Sequence, residues 1–129
     1  MERWLGRYAE IIYGIMRFVL GGLFACHGAQ KLFGAFGGQV MLSNPLMATG
    51  GVIEFFGGLL ICLGLFAGFA AFLASGQMAV AYFMAHASGG FWPILNHGEL
   101  AVVYCFVFLT IASKGSGRVS LEALLQKKP

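Results

Sequence analysis

Residues 50–68 read GGVIEFFGGLLICLGLFAG, a run with a single ionisable side chain, Glu54. Wound as a helix, such a run is long enough to cross a bilayer core, which takes about 20 residues. A carboxylate inside it costs roughly 2.5–3.5 kcal/mol on insertion scales, so Glu54 must face protein or trapped water rather than lipid. Helical spacing puts Gly57, Gly58, Ile61, Gly64 and Gly68 on the face of Glu54. A Gly64-x-x-x-Gly68 pair there lets a second backbone come close. The stretch reads as the inner wall of a transmembrane bundle, with its carboxylate turned inward.

The rest of the chain has the same character. Its 129 residues are 59% hydrophobic and 10% charged, and mean hydropathy is +0.82. A soluble domain carries about 25% charged residues, so this is the composition of an integral membrane protein. The expected architecture is all-α: one domain over residues 1–129, a four-helix transmembrane bundle with crossings at about 8–29, 47–67, 70–87 and 97–114. The net charge of +3 is small and its cations lie near the ends, which excludes a nucleic-acid surface. Cys26, Cys62 and Cys105 lie far apart and form no C-x-x-C pair, so they read as apolar packing residues rather than a redox or disulfide framework. The Leu23-Phe24-Ala25-Cys26 stretch has the outline of a lipoprotein cleavage box. Arg17 interrupts the apolar segment before it, so this segment reads as a retained helix.

Trp4 and Tyr8 are placed to anchor the first crossing at an interface. Gly14, Gly21 and Gly28 recur every seven residues along it, and Arg17 and Lys31 share that face. A glycine-rich, apolar loop follows, up to Pro45. The link near residue 67 is so short that the second and third crossings must form a tight hairpin. The third crossing carries Gln77 near its middle and Tyr82 and His86 one turn apart near its end. Asn96 reads as the N-cap of the fourth crossing, with Glu99 in its first turn, where the helix dipole favours an anion. The tail from Ser120 reads as a short amphipathic surface helix with Leu121, Leu124 and Leu125 on one side.

Arg3, Arg7, Lys114, Arg118, Lys127 and Lys128 flank the two ends of the chain. Four crossings put both ends on one side, and the positive-inside rule makes that side cytoplasmic. His27, Lys31, Glu54, His86, Asn96, His97 and Glu99 then fall in the outer half of the bundle, with Arg17 and Gln77 deeper. The expected site is a polar core of Arg17, His27, Lys31, Glu54, Gln77, Tyr82, His86 and Glu99, in which Arg17 and Lys31 balance Glu54 and Glu99. It reads either as a register-fixing ion-pair network or as the lining of a pocket that opens outward. The three histidines come from separate helix ends without a ligand-like spacing, so no metal centre is expected. Tyr82 and His86 have the spacing to flank a quinone ring. No nucleophile–base pair or cofactor motif is visible, and no catalytic residue is assigned.

Several motifs, taken together, resemble the DoxX family. They are Arg17 with His27-Gly28-x-Gln30-Lys31-Leu32-Phe33-Gly34, then Glu54-x-x-Gly57-Gly58 and Leu63-Gly64-Leu65, then Gln77-Met78 with Tyr82, then Asn96-x-Gly98-Glu99 and Gly115-x-Gly117-x-x-Ser120. The resemblance covers nearly the whole chain. It implies a small four-helix protein of the bacterial inner membrane, linked to membrane redox systems as a non-catalytic subunit or anchor. A quinone or lipid-like ligand, a redox-protein partner and a homo-oligomer belong to the same expectation. Relatives are associated with a terminal quinol oxidase, a thiosulfate:quinone oxidoreductase and oxidative-stress proteins. The second position of the Asn-x-Gly-Glu turn is His97, where relatives carry another small or polar residue, so the resemblance gives His97 no role. The rival readings are a small-molecule or proton transporter and a purely structural assembly protein.

Overall fold

The computed structural model describes residues 1–127 and, among them, contains helices and turns but no strand. Lys128, one of the cations used in the topology argument, lies outside the described residues. Three helices are long and apolar enough to cross a membrane: α1 (Glu2–Phe33), α2 (Pro45–Leu63) and α3 (Ala67–Gly89). A fourth, α4 (Glu99–Lys114), has 16 residues, shorter than the usual span of about 20. A one-and-a-half-turn helix, α5 (Leu121–Gln126), ends the described chain.

Helix ends follow local chemistry. Asn44 caps α2 by accepting from Leu46 N at 3.0 Å, with Pro45 at the first helical position. Gly64, at φ 72°, stops α2, and the amides of Gly64 and Leu65 both return to Leu60 O. The second crossing therefore ends four residues earlier than the hydropathy suggests. Gly64 and Gly68 do not form a seam on one helix; Gly68 belongs to α3, where it lies against Ala112 and Gly115 of the α4 end. Gly58 and Ile61 do share the buried face of Glu54, as the spacing predicts. Ser120 accepts from Ala123 N at 3.1 Å and starts α5.

The glycine seam of α1 joins it to α2. A Cβ at Gly21 would lie 2.4 Å from Cys62 N, and one at Gly28 would lie 2.2 Å from Phe55 N. A Cβ at Gly58 of α2 would in turn lie 2.5 Å from Ala25 N. The two backbones touch along two turns, a contact only glycine permits. In lipid no hydrophobic force drives helices together, so such van der Waals contact is a principal source of cohesion. On the other side, Ala67, Ala70, Ala71 and Ala74 bury a small-residue face of α3 against α4. Phe24 of α1 packs edge-on to Phe108 of α4 at 4.7 Å between centroids, and with Ile61 and Ile111 these rings fill the centre.

The segment after α4 folds back over the α2–α3 turn. Ser116 Oγ accepts from Ala67 N at 3.2 Å, and the Glu122 carboxylate accepts from Phe66 N at 3.2 Å. These acceptors cap the N-terminus of α3, which otherwise has no side-chain cap of its own. Val119 meets the seam at Gly14. This segment is thus packed into the body of the bundle.

Candidate functional site

Two polar groups separate along α1. Arg17 and Lys31 are 14 residues apart on one face, about 21 Å along the axis at 1.5 Å per residue. They do not join one network.

Arg17 is buried at the end of the bundle where α2 turns into α3. Its Nε donates to Ile61 O at 2.8 Å, Nη1 to Ser116 O at 2.6 Å and to Val119 O at 3.0 Å, and Nη2 to Val119 O at 3.0 Å. The guanidinium thus finds carbonyls rather than the expected carboxylates. Ile61 lies in the last turn of α2, where unpaired carbonyls and the negative end of the helix dipole favour a cation. A planar fork with donors on three separate nitrogens spans carbonyls from two segments; the single nitrogen of an ammonium does not. Arg17 is therefore a structural clasp, and its predicted pairing with Glu54 or Glu99 is corrected.

The second group lies toward the other end of the bundle. Glu54 sits on a widened π turn, Ile53–Gly57, and is 2% exposed. Its Oε1 accepts from Lys31 Nζ at 2.5 Å and from Gln77 Nε2 at 2.9 Å. Gln77 Nε2 also reaches Gly50 O at 3.3 Å. Lys31, Glu54 and Gln77 come from α1, α2 and α3, so three helices meet at one carboxylate. Glu54 Oε2 and Gln77 Oε1 are buried with no partner among the described residues.

These three side chains line a cavity of about 820 Å³. Phe24 and Tyr104 contribute an aromatic wall, and His27, His86 and His97 contribute imidazoles. Of its apolar lining, Leu46, Phe72, Leu73, Val80 and Met84 are each more than half exposed on the outer surface of α2 and α3, as is Leu100 on α4. The cavity thus opens sideways, in the crevice between α2 and α3, on an apolar belt. Among the described residues no three His, Cys, Asp or Glu side chains gather closely enough to hold a metal ion.

The remaining predicted residues divide. His27 is exposed, lines the cavity and meets Tyr104 edge-on at 6.4 Å. His86 also lines the cavity, and its Nδ1 lies 3.2 Å from Asn96 O. A carbonyl can only accept, so Nδ1 is the donor of this bond. Tyr82 does not line the cavity; its hydroxyl donates to Phe91 O at 3.1 Å and accepts from Asn96 Nδ2 at 3.0 Å. Tyr82 therefore braces a loop and does not face a ligand beside His86. Glu99 is exposed in the first turn of α4 and has no ion-pair partner among the described residues, so it drops out of the polar core.

Asn96 is misread by sequence reasoning as a helix cap. It lies in the single turn Pro93–Asn96, and α4 starts after Gly98. Its buried amide donates to Tyr82 Oη and to Gly90 O at 2.9 Å, and its Oδ1 accepts from Gly98 N at 2.9 Å. A Cβ at Gly98 would lie 2.7 Å from the Tyr82 ring, so the Asn-x-Gly spacing fits this brace closely. Ser116 is also missed; its only sequence signal is the Gly-Ser-Gly run that permits the sharp fold-back.

Residues 13–87 match the DoxX family, a stretch that holds most of α1, all of α2 and most of α3. A protein of Haemophilus influenzae described as an uncharacterized protein is 37% identical over 131 residues, covering 96% of this chain and 98% of the relative. No solved structure matches the chain.

Proposed function

The chain belongs to the DoxX family, and on that premise we propose that it is a non-catalytic membrane subunit or anchor of a redox system that holds a quinone or lipid-like molecule in the α2–α3 cavity. One observation carries this reading: a cavity with an apolar, sideways mouth ends at a buried carboxylate shared by Lys31 and Gln77. A mouth of that kind suits a molecule that arrives from lipid, with an apolar body and a polar head. An intramembrane ionisable group marks a functional position by default. The π turn that carries Glu54 is a backbone form often found at functional sites.

The transporter reading has less support. Below the cavity, Ile61, Phe108 and Ile111 are fully buried, and beyond them Arg17 and its carbonyls close the bundle. Alternating access would have to break that clasp. The topology follows the same proposal: α4 completes a fourth crossing beside α3, and both ends of the chain lie on the cytoplasmic side of a bacterial inner membrane. Arg3, Arg7, Lys114, Arg118 and Lys127 support that orientation.

Gly76 offers a clean test. It lines the cavity, and a Cβ there would meet nothing within 4 Å. Gly76→Leu adds bulk at the cavity wall from a Cβ that itself meets no neighbour. Lipid extracts of the purified wild type should contain an amphiphile near one equivalent per chain, and extracts of the Gly76→Leu protein several-fold less. Equal recovery from both proteins refutes the binding site.

A further inference from the structure

At the deep end of the cavity, acceptors outnumber the donors that reach them. Glu54 Oε1 takes both Lys31 Nζ and one Gln77 Nε2 proton, and the other Nε2 proton goes to Gly50 O. Glu54 Oε2 and Gln77 Oε1 remain unpartnered and buried. Turning the Gln77 amide over does not help, because its oxygen would then face Gly50 O and Glu54 Oε1, two acceptors. Whatever completes this site must bring hydrogen-bond donors.

Charge narrows the class further. Lys31 and Glu54 cancel, so the deep end is neutral. A cationic or anionic head would leave water without a counter-charge, the costliest kind of burial. A head that only accepts, such as an oxidised quinone or an ester, would leave both oxygens unpaired, and an unmade buried hydrogen bond is expensive. A neutral hydroxyl pair supplies two donors without adding charge.

We propose that the cavity takes a neutral, hydroxyl-headed amphiphile that donates to Glu54 Oε2 and Gln77 Oε1, with its apolar chain leaving between Leu46 and Met84. This deepens the proposed binding role and rests on it. Both oxygens are buried and belong to side chains that line the cavity. A glycerol and a dihydroxybenzene are two chemistries that present such a head.

The test uses matched probes on the purified full chain: 1-O-dodecylglycerol, its dimethyl ether and dodecylhydroquinone. Retention is read by native mass spectrometry over a concentration series. Wild type should hold the diol at least tenfold more tightly than the ether. Gln77→Met, which keeps the bulk and removes the acceptor, should reduce that ratio below threefold, and Gly76→Leu should abolish retention of all three. The stronger of the diol and the hydroquinone identifies the head, and either order supports the hydroxyl class. If ether and diol bind alike and Gly76→Leu blocks both, the cavity binds by shape and the donor inference is overturned while the binding site stands. If Gly76→Leu leaves retention unchanged, the binding site itself is refuted, and the inference with it.

Discussion

Gly28→Ala and Gly76→Ala are the same chemical change and should act in opposite directions. At Gly28 the new Cβ would lie 2.2 Å from Phe55 N and 2.7 Å from both Gly51 O and Phe55 Cα. Ordinary contact begins near 3.4 Å, so the methyl is about 1.2 Å too close to atoms that cannot rotate away. Every obstructing atom is backbone, in or beside the π turn that carries Glu54. Relief requires α1 and α2 to part by about 1 Å, and overpacking of this kind costs about 1–3 kcal/mol. Separation also loosens the Gly21 and Gly58 contacts and stretches the Lys31–Glu54 bond on the same seam, so about 3 kcal/mol is expected. At Gly76 the methyl meets nothing, and only helix propensity changes, a gain of about 1 kcal/mol. Reversible detergent unfolding in mixed micelles, followed by circular dichroism, gives both numbers. A Gly28→Ala protein as stable as wild type would refute the direct backbone contact of α1 with α2.

Arg17→Lys keeps the charge and loses the fork, so the 116–119 segment should open more often. Limited trypsin digestion after Arg118 should run about tenfold faster or more, the loss of at least one charged hydrogen bond; an unchanged rate would show that the clasp is dispensable. Lys31→Met strands a buried carboxylate and should cost about 3–5 kcal/mol, whereas Lys31→Met with Glu54→Gln should cost markedly less. The idea of a coupled pair fails if the two changes simply add in the same unfolding assay. Asn96→Ala removes two donors and one acceptor from the 90–98 loop, and should cost about 2 kcal/mol or more. Amide exchange at Gly98 should quicken, and Gly98 protection equal to wild type would count against the brace.

The parts of the molecule written as periodicity were readable in advance. A seven-residue glycine repeat marks the face of α1 that meets α2, and one carboxylate in an apolar run must turn inward, as Glu54 does. Charge arithmetic was less reliable. It suggested that Arg17 pairs with a carboxylate because cations and anions balanced along the sequence. Arg17 instead meets backbone carbonyls, which are present at every residue and leave no mark in composition. Glu99 looked like a partner because it opens an apolar helix, yet the first turn of α4 points it outward. Asn96 is hard to place because one side chain can cap a helix or brace a loop. Which it does depends on a positive φ at His97, a non-glycine residue, that delays the helix. The π turns at residues 53–57 and 82–86 carry no signal in side-chain pattern, and the first of them sets the height of Glu54.

The Arg17 clasp also has a consequence for biogenesis. Arg17 leaves the ribosome 99 residues ahead of Ser116, whose carbonyl it will hold. Through the synthesis of α2, α3 and α4 the guanidinium is without two of its three carbonyl partners. An unsatisfied Arg snorkels toward phosphate and water. On the proposed topology, that pull draws the middle of α1 toward water until the segment after α4 arrives. On that topology the arginine would act first as a brake on how deep α1 settles, and only last as the latch that the segment after α4 closes.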